Sequence, residues 1–308
     1  LGPVIYLMTG YGTTCVIEEG GMARCWGADY NGLIPSDLGT VVALQGRHEH
    51  ACAIKKSGEI RCFGGNDLGQ GDVPAQPPGI VDAAVGEHHS CGLSRAGRIH
   101  CFGDNRVGQS QIPAGLGHVI GLGVGWTHSC ALDLDGALQC WGNNESGQAN
   151  VPADLVDVLD VAAGNDFTCA LAEDGKVHCF GDNEFGQIDV PPNLGPVSTV
   201  VAGGYHTCAL LMSGDIRCWG LDLDFYGAPS GQTQVPSALG DLIELRAGGF
   251  HTCALGGDGS VSCWGLNNLG QATPPIDLGT VLTFSAGYAH TCALEEGGEL
   301  RCWGANHS

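Results

Sequence analysis

The stretch Cys130-Ala-Leu-Asp-Leu-Asp-Gly-Ala-Leu-Gln-Cys140 decides the fold of this chain. Apolar and polar residues alternate on both sides of Gly136, a pattern typical of two short antiparallel strands joined by a tight hairpin loop. In a three-residue hairpin loop the third residue is left-handed, a conformation that glycine adopts without strain. This register sets Cys130 opposite Cys140 with α-carbons about 4.5–5.5 Å apart, a separation that a disulfide tolerates.

The same hairpin occurs eight times. The 16 cysteines form eight pairs, each ten positions apart, and the first cysteines mostly recur every 39 residues, with one step of 37 and one of 45. We therefore predict eight local disulfides: Cys15–Cys25, Cys52–Cys62, Cys91–Cys101, Cys130–Cys140, Cys169–Cys179, Cys208–Cys218, Cys253–Cys263 and Cys292–Cys302.

Zinc is the alternative for paired cysteines, but structural zinc sites prefer ligands two to four residues apart, and the chain has no Cys-x-x-Cys. We therefore expect no metal. Each disulfide closes a short loop and contributes about 2–3 kcal/mol. Eight disulfides also indicate an oxidising compartment, so we expect the protein to be secreted or at the cell surface.

Other positions repeat with the cysteines. A glycine stands six residues after each first Cys, and an aromatic residue followed by glycine stands after each second Cys. An apolar strand precedes each hairpin and ends in glycine five residues before the first Cys, except at Arg47. Five of the eight copies continue with Asn-x-x-Gly-Gln and then Val-Pro or a variant of it. Each unit is thus three or four short antiparallel strands, and stacking such sheets around an axis buries both of their faces.

The combined unit, Gly-x-x-His-Thr-Cys-Ala-Leu…Asp-Gly-x-Val-x-Cys-Trp-Gly-x-Asn-x-x-Gly-Gln, resembles the regulator of chromosome condensation repeat family over essentially the whole chain. The short period and the Val-Pro ending are most similar to the branch that includes propeller-type β-lactamase inhibitor proteins. The resemblance implies a β-propeller that presents loops to a protein partner. Function does not follow from the repeat, since members of the wider family have several roles.

The related inhibitors have seven blades, whereas this chain has eight hairpins and its last copy stops at Asn306-His-Ser308. We expect an all-β, eight-bladed propeller that forms a single repeat domain over residues 1–308. Seven blades with an extra unit, and an open superhelix, are the alternatives. The chain opens on a strand-like segment, Val4-Ile5-Tyr6-Leu7, so we expect a mature or trimmed form.

Charge restricts the partners. The net charge is −21, from 33 acidic and 12 basic side chains, which would repel a nucleic-acid backbone. The chain has no run of about 18 apolar residues, so membrane insertion is not expected. No Ser/His/Asp order, carboxylate pair or phosphate-binding glycine loop stands out from the repeat. We predict a protein that is not an enzyme and holds no cofactor.

Repeated histidines and aromatics have a structural interpretation. Histidine stands two residues before the first Cys in six copies, and Phe167 or Thr13 replaces it in the others. We expect these rings to be buried and hydrogen-bonded to backbone groups, because metal ligands must converge at about 2 Å from the ion. The aromatic residue after each second Cys is expected to wedge between blades.

The two positions between the repeated glycine and this histidine vary from copy to copy, and five of the eight pairs include an aromatic residue. In a ring these turns meet on one face, where exposed aromatics are typical of an interface. The sixth copy adds an insertion with Phe225 and Tyr226. Our candidate partner-binding residues are Tyr11, His48, Glu49, Trp126, Asp166, Tyr205, Phe225, Tyr226, Phe250 and Tyr288.

These observations favour a secreted, non-catalytic propeller that binds a protein partner through its aromatic-bearing turns. Two alternatives remain. An unfinished terminal unit would expose a strand edge and permit self-association into an extracellular filament. Exposed aromatic turns would also suit a glycan-binding module.

Overall fold

The computed structural model describes residues 2–27, 35, 37–74, 79–224, 226–237 and 239–306. The described residues form 24 strands and no helix. The strands make eight sheets of three, each from consecutive strands in antiparallel order. Each repeat is therefore one three-stranded blade, and the segment carrying Val-Pro is a linker to the next blade. We number the blades in chain order.

The first strands of the blades are β1 (Val4–Thr9), β4 (Val41–Gly46), β7 (Ile80–Val85), β10 (Val119–Val124), β13 (Val158–Ala163), β16 (Val197–Ala202), β19 (Leu242–Ala247) and β22 (Val281–Ala286). The middle strands are β2 (Thr13–Glu18), β5 (His50–Lys55), β8 (His89–Ser94), β11 (His128–Asp133), β14 (Phe167–Ala172), β17 (His206–Leu211), β20 (His251–Gly256) and β23 (His290–Glu295). The last strands are β3 (Ala23–Gly27), β6 (Ile60–Gly64), β9 (Ile99–Gly103), β12 (Leu138–Gly142), β15 (Val177–Gly181), β18 (Ile216–Gly220), β21 (Val261–Gly265) and β24 (Leu300–Gly304).

The hairpin between the middle and last strands has the predicted geometry. In blade 4, Asp133 donates its backbone N–H to the carbonyl of Ala137 (3.0 Å), and Gly136 is left-handed with φ 78°. Cys130 pairs directly with Cys140. All eight predicted disulfides are present with Cα–Cα distances of 4.0–4.1 Å, slightly shorter than expected.

The blades close into a ring. The first strands of neighbouring blades contact one another around the axis, and β22 contacts β1. Across this closure the hydroxyls of Thr9 and Ser285 lie 2.7 Å apart, and Tyr288 donates its backbone N–H to the carbonyl of Gly10 (3.1 Å). The eight-bladed ring is confirmed, whereas seven blades with an extra unit and the open superhelix are wrong.

The core is divided among the clefts between blades. Eight apolar clusters each combine residues of two neighbouring blades, including one between blades 8 and 1. The aromatic residue after the second Cys belongs to this packing: Phe102, Trp141, Phe180, Trp219 and Trp264 are 5–7% exposed. These residues wedge between blades, as the repeat predicts, because a thin sheet can bury its faces only against its neighbours.

The six repeated histidines also join neighbouring blades. They are 0–6% exposed, and each Nε2 lies 2.8–3.0 Å from a Ser or Thr hydroxyl of the next blade's middle strand. The pairs are His50–Ser90, His89–Ser129, His128–Thr168, His206–Thr252, His251–Thr291 and His290–Thr14. The ring nitrogen thus meets a hydroxyl that projects from the facing sheet into the cleft, where a backbone group was expected; a backbone hydrogen bond to the next blade also acts on the pKa of His50 and of His89.

The hydroxyl of Thr168 determines which ring nitrogen of His128 carries the proton. Thr168 donates its one proton to the carbonyl of Gln148 (3.0 Å), so it accepts from Nε2–H of His128. Burial lowers the pKa of His128 to about 3 and that of His206 to about 4, so both rings are neutral at neutral pH. The glycine three residues earlier makes room: a Cβ on Gly125 would lie 2.1 Å from Cε1 of His128.

Candidate functional site: the turn face

The variable turns between first and middle strands lie together at one end of the ring, which we call the turn face. Backbone bonds connect successive turns: Trp126 donates to the carbonyl of Asn165 (3.1 Å), and Gly204 donates to that of Gly249 (2.9 Å). Antiparallel order also brings the end of each last strand to this face. The turn face therefore carries an inner circle of turns and an outer circle of loops.

Aromatic rings form a continuous path over the turn face, which we call the aromatic arc. Its members, in order from blade 5 through blade 8 and blade 1 to blade 3, are Phe185, Tyr205, Phe250, Tyr288, Tyr11, His48 and His88. Neighbouring ring centroids are 4.5–6.0 Å apart, a range in which aromatic pairs attract each other. The closest pair is Tyr11 with Tyr288, at 4.5 Å.

Most of the predicted residues lie on this face and reach solvent. Tyr11, His48, Glu49, Trp126, Asp166, Tyr205 and Tyr288 are each half-buried. Phe250 differs from the expected exposure, since it is 4% exposed. Tyr288 extends over the neighbouring turn, where a Cβ on Gly249 would lie 2.7 Å from its ring. Phe250 therefore supports the arc from below.

The insertion of blade 6 is described in part. Tyr226 is 93% exposed, and its turn is held by the Asp224 carboxylate, which accepts the backbone N–H groups of Tyr226 and Ala228 at 2.8 Å each. Phe225 lies outside the described residues.

Acidic side chains lie around blades 2 to 5 of the same face, and we call Glu49, Glu87, Asp166 and Asp182 the acidic sector. Burial, and then the neighbouring Asp182, raises the pKa of Asp166. Burial lowers the pKa of His48, against the opposing effect of Glu87 and Glu49. The turn face thus combines an aromatic path over seven blades with acidic side chains on blades 2, 3 and 5.

A central cavity of about 430 Å³ opens beside these turns and is lined by residues of all eight blades. Arg47 extends into it and donates from Nη1 to the carbonyls of Val124 (2.6 Å) and Ala163 (3.2 Å), in blades 4 and 5. Burial lowers the pKa of Arg47 to about 10. Arg47, which replaces the glycine of the other seven copies, therefore places a positive charge across the central cavity.

Sequence reasoning missed Phe185, His88 and the role of Arg47. Phe185 stands six residues after the second Cys of blade 5, where other copies have Leu68, Val107, Ser146 and Leu269. Its ring lies 5.7 Å from that of Tyr205. Variation at this second repeat position was the signal that could have identified it. Arg47 was visible as an exception, but its reach across the axis was not.

No described group of three or more His, Cys, Asp or Glu side chains is arranged to hold a metal ion. None of the described segments is a helix long and apolar enough to cross a membrane. The repeated histidines are already engaged by the hydroxyls of their neighbours.

Comparison with known proteins agrees with this architecture. A search of curated proteins finds no match. The fold is similar to the ectodomain of the receptor kinase CR4 from Physcomitrella patens (TM-score 0.64, 26% identity, 99% of this chain and 74% of that chain). It is also similar to the ectodomain of the receptor kinase ACR4 from Arabidopsis thaliana (0.57, 22%, 99% and 98%).

A third similar structure is Prp20p from Saccharomyces cerevisiae (TM-score 0.58, 18% identity, 92% of this chain and 80% of that chain), whose binding to Gsp1p and histones has been described. Six segments, residues 80–109, 119–148, 158–187, 197–227, 243–271 and 281–308, match the family of the Regulator of chromosome condensation (RCC1) repeat. Together they cover more than half of the chain, so this protein belongs to the RCC1 repeat family.

Proposed function

We propose that this protein is a secreted, non-catalytic binding module whose turn face captures a protein partner. The observation that carries the proposal is the aromatic arc, which runs over seven consecutive blades on positions that the repeat leaves free to vary. Rigid aromatic side chains on a fixed scaffold lose little entropy on binding and dominate the energetics of many interfaces.

The charge of the face favours a particular kind of partner. The acidic sector flanks the aromatic arc, and the chain as a whole has a net charge of −21. A partner with basic residues around an apolar or aromatic patch would be attracted over a distance and then bury its patch on the arc. We therefore propose a basic protein surface as the ligand of the turn face.

Similar solved structures and the disulfides both support this role. The CR4 and ACR4 neighbours are receptor-kinase ectodomains, and Prp20p binds Gsp1p and histones. Eight disulfides are consistent with an oxidising compartment. The filament alternative has less support. It assumes that the last unit exposes a strand edge, whereas blade 8 packs against blade 1.

The test is capture of extracellular proteins by the immobilised chain, with two matched triple variants. Tyr11→Ala/Trp126→Ala/Tyr205→Ala removes side chains of the turn face. Ile120→Ala/Leu159→Ala/Ile243→Ala removes side chains that are 50–66% exposed at the opposite ends of the first strands. We expect at least one basic protein to be retained by the wild type and by the second variant but lost from the first. Equal retention by both variants, or no such protein, would contradict the proposal.

A further inference from the structure

Arg47 uses only part of its hydrogen-bonding capacity in the central cavity. Its Nη1 donates to the carbonyls of Val124 and Ala163, but no partner of Nε or Nη2 is found within the described part of the chain. These two nitrogens are not sealed from solvent, and Arg47 lines the cavity. The guanidinium therefore has N–H donors on Nε and Nη2 that face the cavity and are available to a ligand.

Arg47 also lacks a counterion. Among the residues that the structure describes, no carboxylate forms an ion pair with it, and burial alone accounts for its lowered pKa. Asp82 lines the same cavity, but its pKa is raised by burial, and Arg47 is not among the groups that act on it. A positive charge taken from bulk water without an opposite charge is unfavourable, so a bound anion would supply the missing partner.

Asn165 is a second polar group without a partner at this cavity. It lines the cavity and is 4% exposed. Its backbone N–H donates to the carbonyl of Gly204 (3.2 Å), and its carbonyl accepts from Trp126 (3.1 Å). Its side-chain amide, by contrast, makes no hydrogen bond to any described residue and is not sealed from solvent. A buried amide of this kind is expected to bond either water or a ligand.

The Arg47 and Asn165 side chains come together on one wall of the cavity. Arg47 is anchored to the carbonyl of Ala163, which lies two residues before Asn165. The repeat requires neither side chain, since the other seven copies have glycine at the position of Arg47, and blades 6 and 7 have Gly204 and Gly249 at the position of Asn165. Half of the lining residues are Gly or Ala, which leaves a space of about 430 Å³, enough for a small molecule.

Charge favours a ligand with a single negative charge. The chain has a net charge of −21, and the acidic sector lies on the same end of the ring. A doubly charged anion would be repelled about twice as strongly as a singly charged one. A carboxylate carries one negative charge, and its two oxygens match the planar N–H donors of a guanidinium.

We infer that the central cavity is a binding site for a carboxylate group, which accepts hydrogen bonds from Nε and Nη2 of Arg47 and from Nδ2 of Asn165. The apolar part of the ligand lies against Leu122 and Val124, which line the same cavity. The carboxylate belongs to a free small molecule or to an acidic side chain of a protein docked on the turn face. The inference does not depend on the function proposed for the aromatic arc.

The test titrates benzoate into the 308-residue chain at constant ionic strength, with benzamide as a neutral probe of nearly the same shape. Saturation-transfer difference NMR should show saturable binding of benzoate with a Kd between about 0.1 and 10 mM, as expected for a ligand of this size. Benzamide should bind at least about tenfold more weakly, because it lacks the charge that pairs with Arg47.

Three variants test which residues hold the carboxylate. Arg47→Gly should weaken benzoate binding at least about tenfold, and Asn165→Gly, which copies Gly204 and Gly249, about threefold to tenfold. Arg246→Ala removes the same charge from a residue that lines the cavity but is paired with Glu244 (2.7 Å), and it should bind benzoate as the wild type does. Absence of saturable benzoate binding, equal binding of benzamide, or equal losses in Arg47→Gly and Arg246→Ala would overturn the inference.

A competition experiment distinguishes the two sources of the carboxylate. Benzoate or benzamide is added, at about ten times the Kd of benzoate, to extracellular proteins captured on the immobilised chain. Release of a captured protein by benzoate but not by benzamide assigns the carboxylate to a side chain of that protein. Capture that is unchanged by benzoate, or no captured protein at all, assigns the site to a free small carboxylate, provided that the titration shows binding.

Discussion

The clefts between blades and the turn face are built from the same eight repeats, yet they differ in how strictly their residues recur. In the clefts a histidine meets a hydroxyl in six copies and a hydroxyl meets a glutamine carbonyl in five, at nearly the same distances. On the turn face the two positions before this histidine hold residues as different as Tyr, Trp, Phe, His, Glu, Asp, Asn, Thr, Ala and Gly. Packing between blades thus restricts which residues can occupy the clefts, because their side chains bond the next blade. Neighbouring turns are joined by backbone hydrogen bonds, so the identity of their side chains can vary.

Acid should disrupt the clefts most strongly. The six histidines have pKa values lowered by burial to about 3 or 4, against 6.5 when unfolded. Between pH 6.5 and about 4 the unfolded chain therefore binds more protons than the folded one, so stability falls as the pH falls. The slope reaches up to about 8 kcal/mol per pH unit for six sites. Urea unfolding followed by circular dichroism at several pH values measures it.

Blade 5 supplies a matched control for this prediction, since Phe167 occupies the histidine position there. The variant His206→Phe should reduce the acid slope by about 1.4 kcal/mol per pH unit, because one proton fewer is taken up on unfolding. Stability that stays constant from pH 7 to pH 5 would show that the cleft histidines titrate normally.

Removing one cleft hydroxyl should have the next largest effect. Thr168→Val leaves Nε2–H of His128 and the carbonyl of Gln148 without their common partner, and both are buried. We expect a loss of about 2 kcal/mol in the free energy of unfolding at pH 7. Thr233→Val, in a loop of the turn face, is a control with an expected change below about 0.5 kcal/mol. Equal losses of unfolding free energy in the two variants would contradict the prediction that the cleft hydroxyl contributes more to stability than a hydroxyl of the turn face.

Arg47 lies between the two regions, and its removal should have a smaller effect. Arg47→Gly restores the residue of the other seven copies and removes a cation whose burial lowers its pKa to about 10. Loss of the bonds to Val124 and Ala163 opposes this gain. We expect the variant to be about 1 kcal/mol more stable, because desolvation of an unpaired charge outweighs two carbonyl contacts. A melting temperature of the variant below that of the wild type would show that the two carbonyl contacts outweigh the desolvation of Arg47.

The smallest effect is expected on the turn face itself. Tyr226→Ala removes a side chain that is 93% exposed, and its turn is held by Asp224 rather than by the tyrosine ring. The free energy of unfolding should change by less than about 0.5 kcal/mol, as for most exposed positions. Differential scanning calorimetry of the variant beside the wild type measures the change, and a loss above about 1 kcal/mol would place Tyr226 in the packed structure.

The sequence predicts the fold well because the deciding contacts are local. The spacing of Cys130 and Cys140 around Gly136 specifies a hairpin, its register and its disulfide without any long-range information. Ring closure is different, since the same repeat is compatible with a ring or a superhelix. It depends on contacts such as Thr9 with Ser285, which are 276 residues apart.

The candidate site was predictable in outline only. Variation among copies identified the turns, but burial within them depends on the neighbouring blade. Phe250 is covered because Gly249 lets Tyr288 lie across that turn. Phe185 was not predicted because it lies in an outer loop. This loop comes beside the inner turns only because the antiparallel strands return to the same end of the ring.

The hairpin disulfides bear on how the chain matures. Every bridge joins cysteines that are ten residues apart and within one blade. Each pair can therefore be oxidised as soon as its own hairpin has emerged during synthesis, before any later blade exists. Such a chain needs little reshuffling by disulfide isomerases, and damage to one bridge leaves the covalent order of the other seven blades intact.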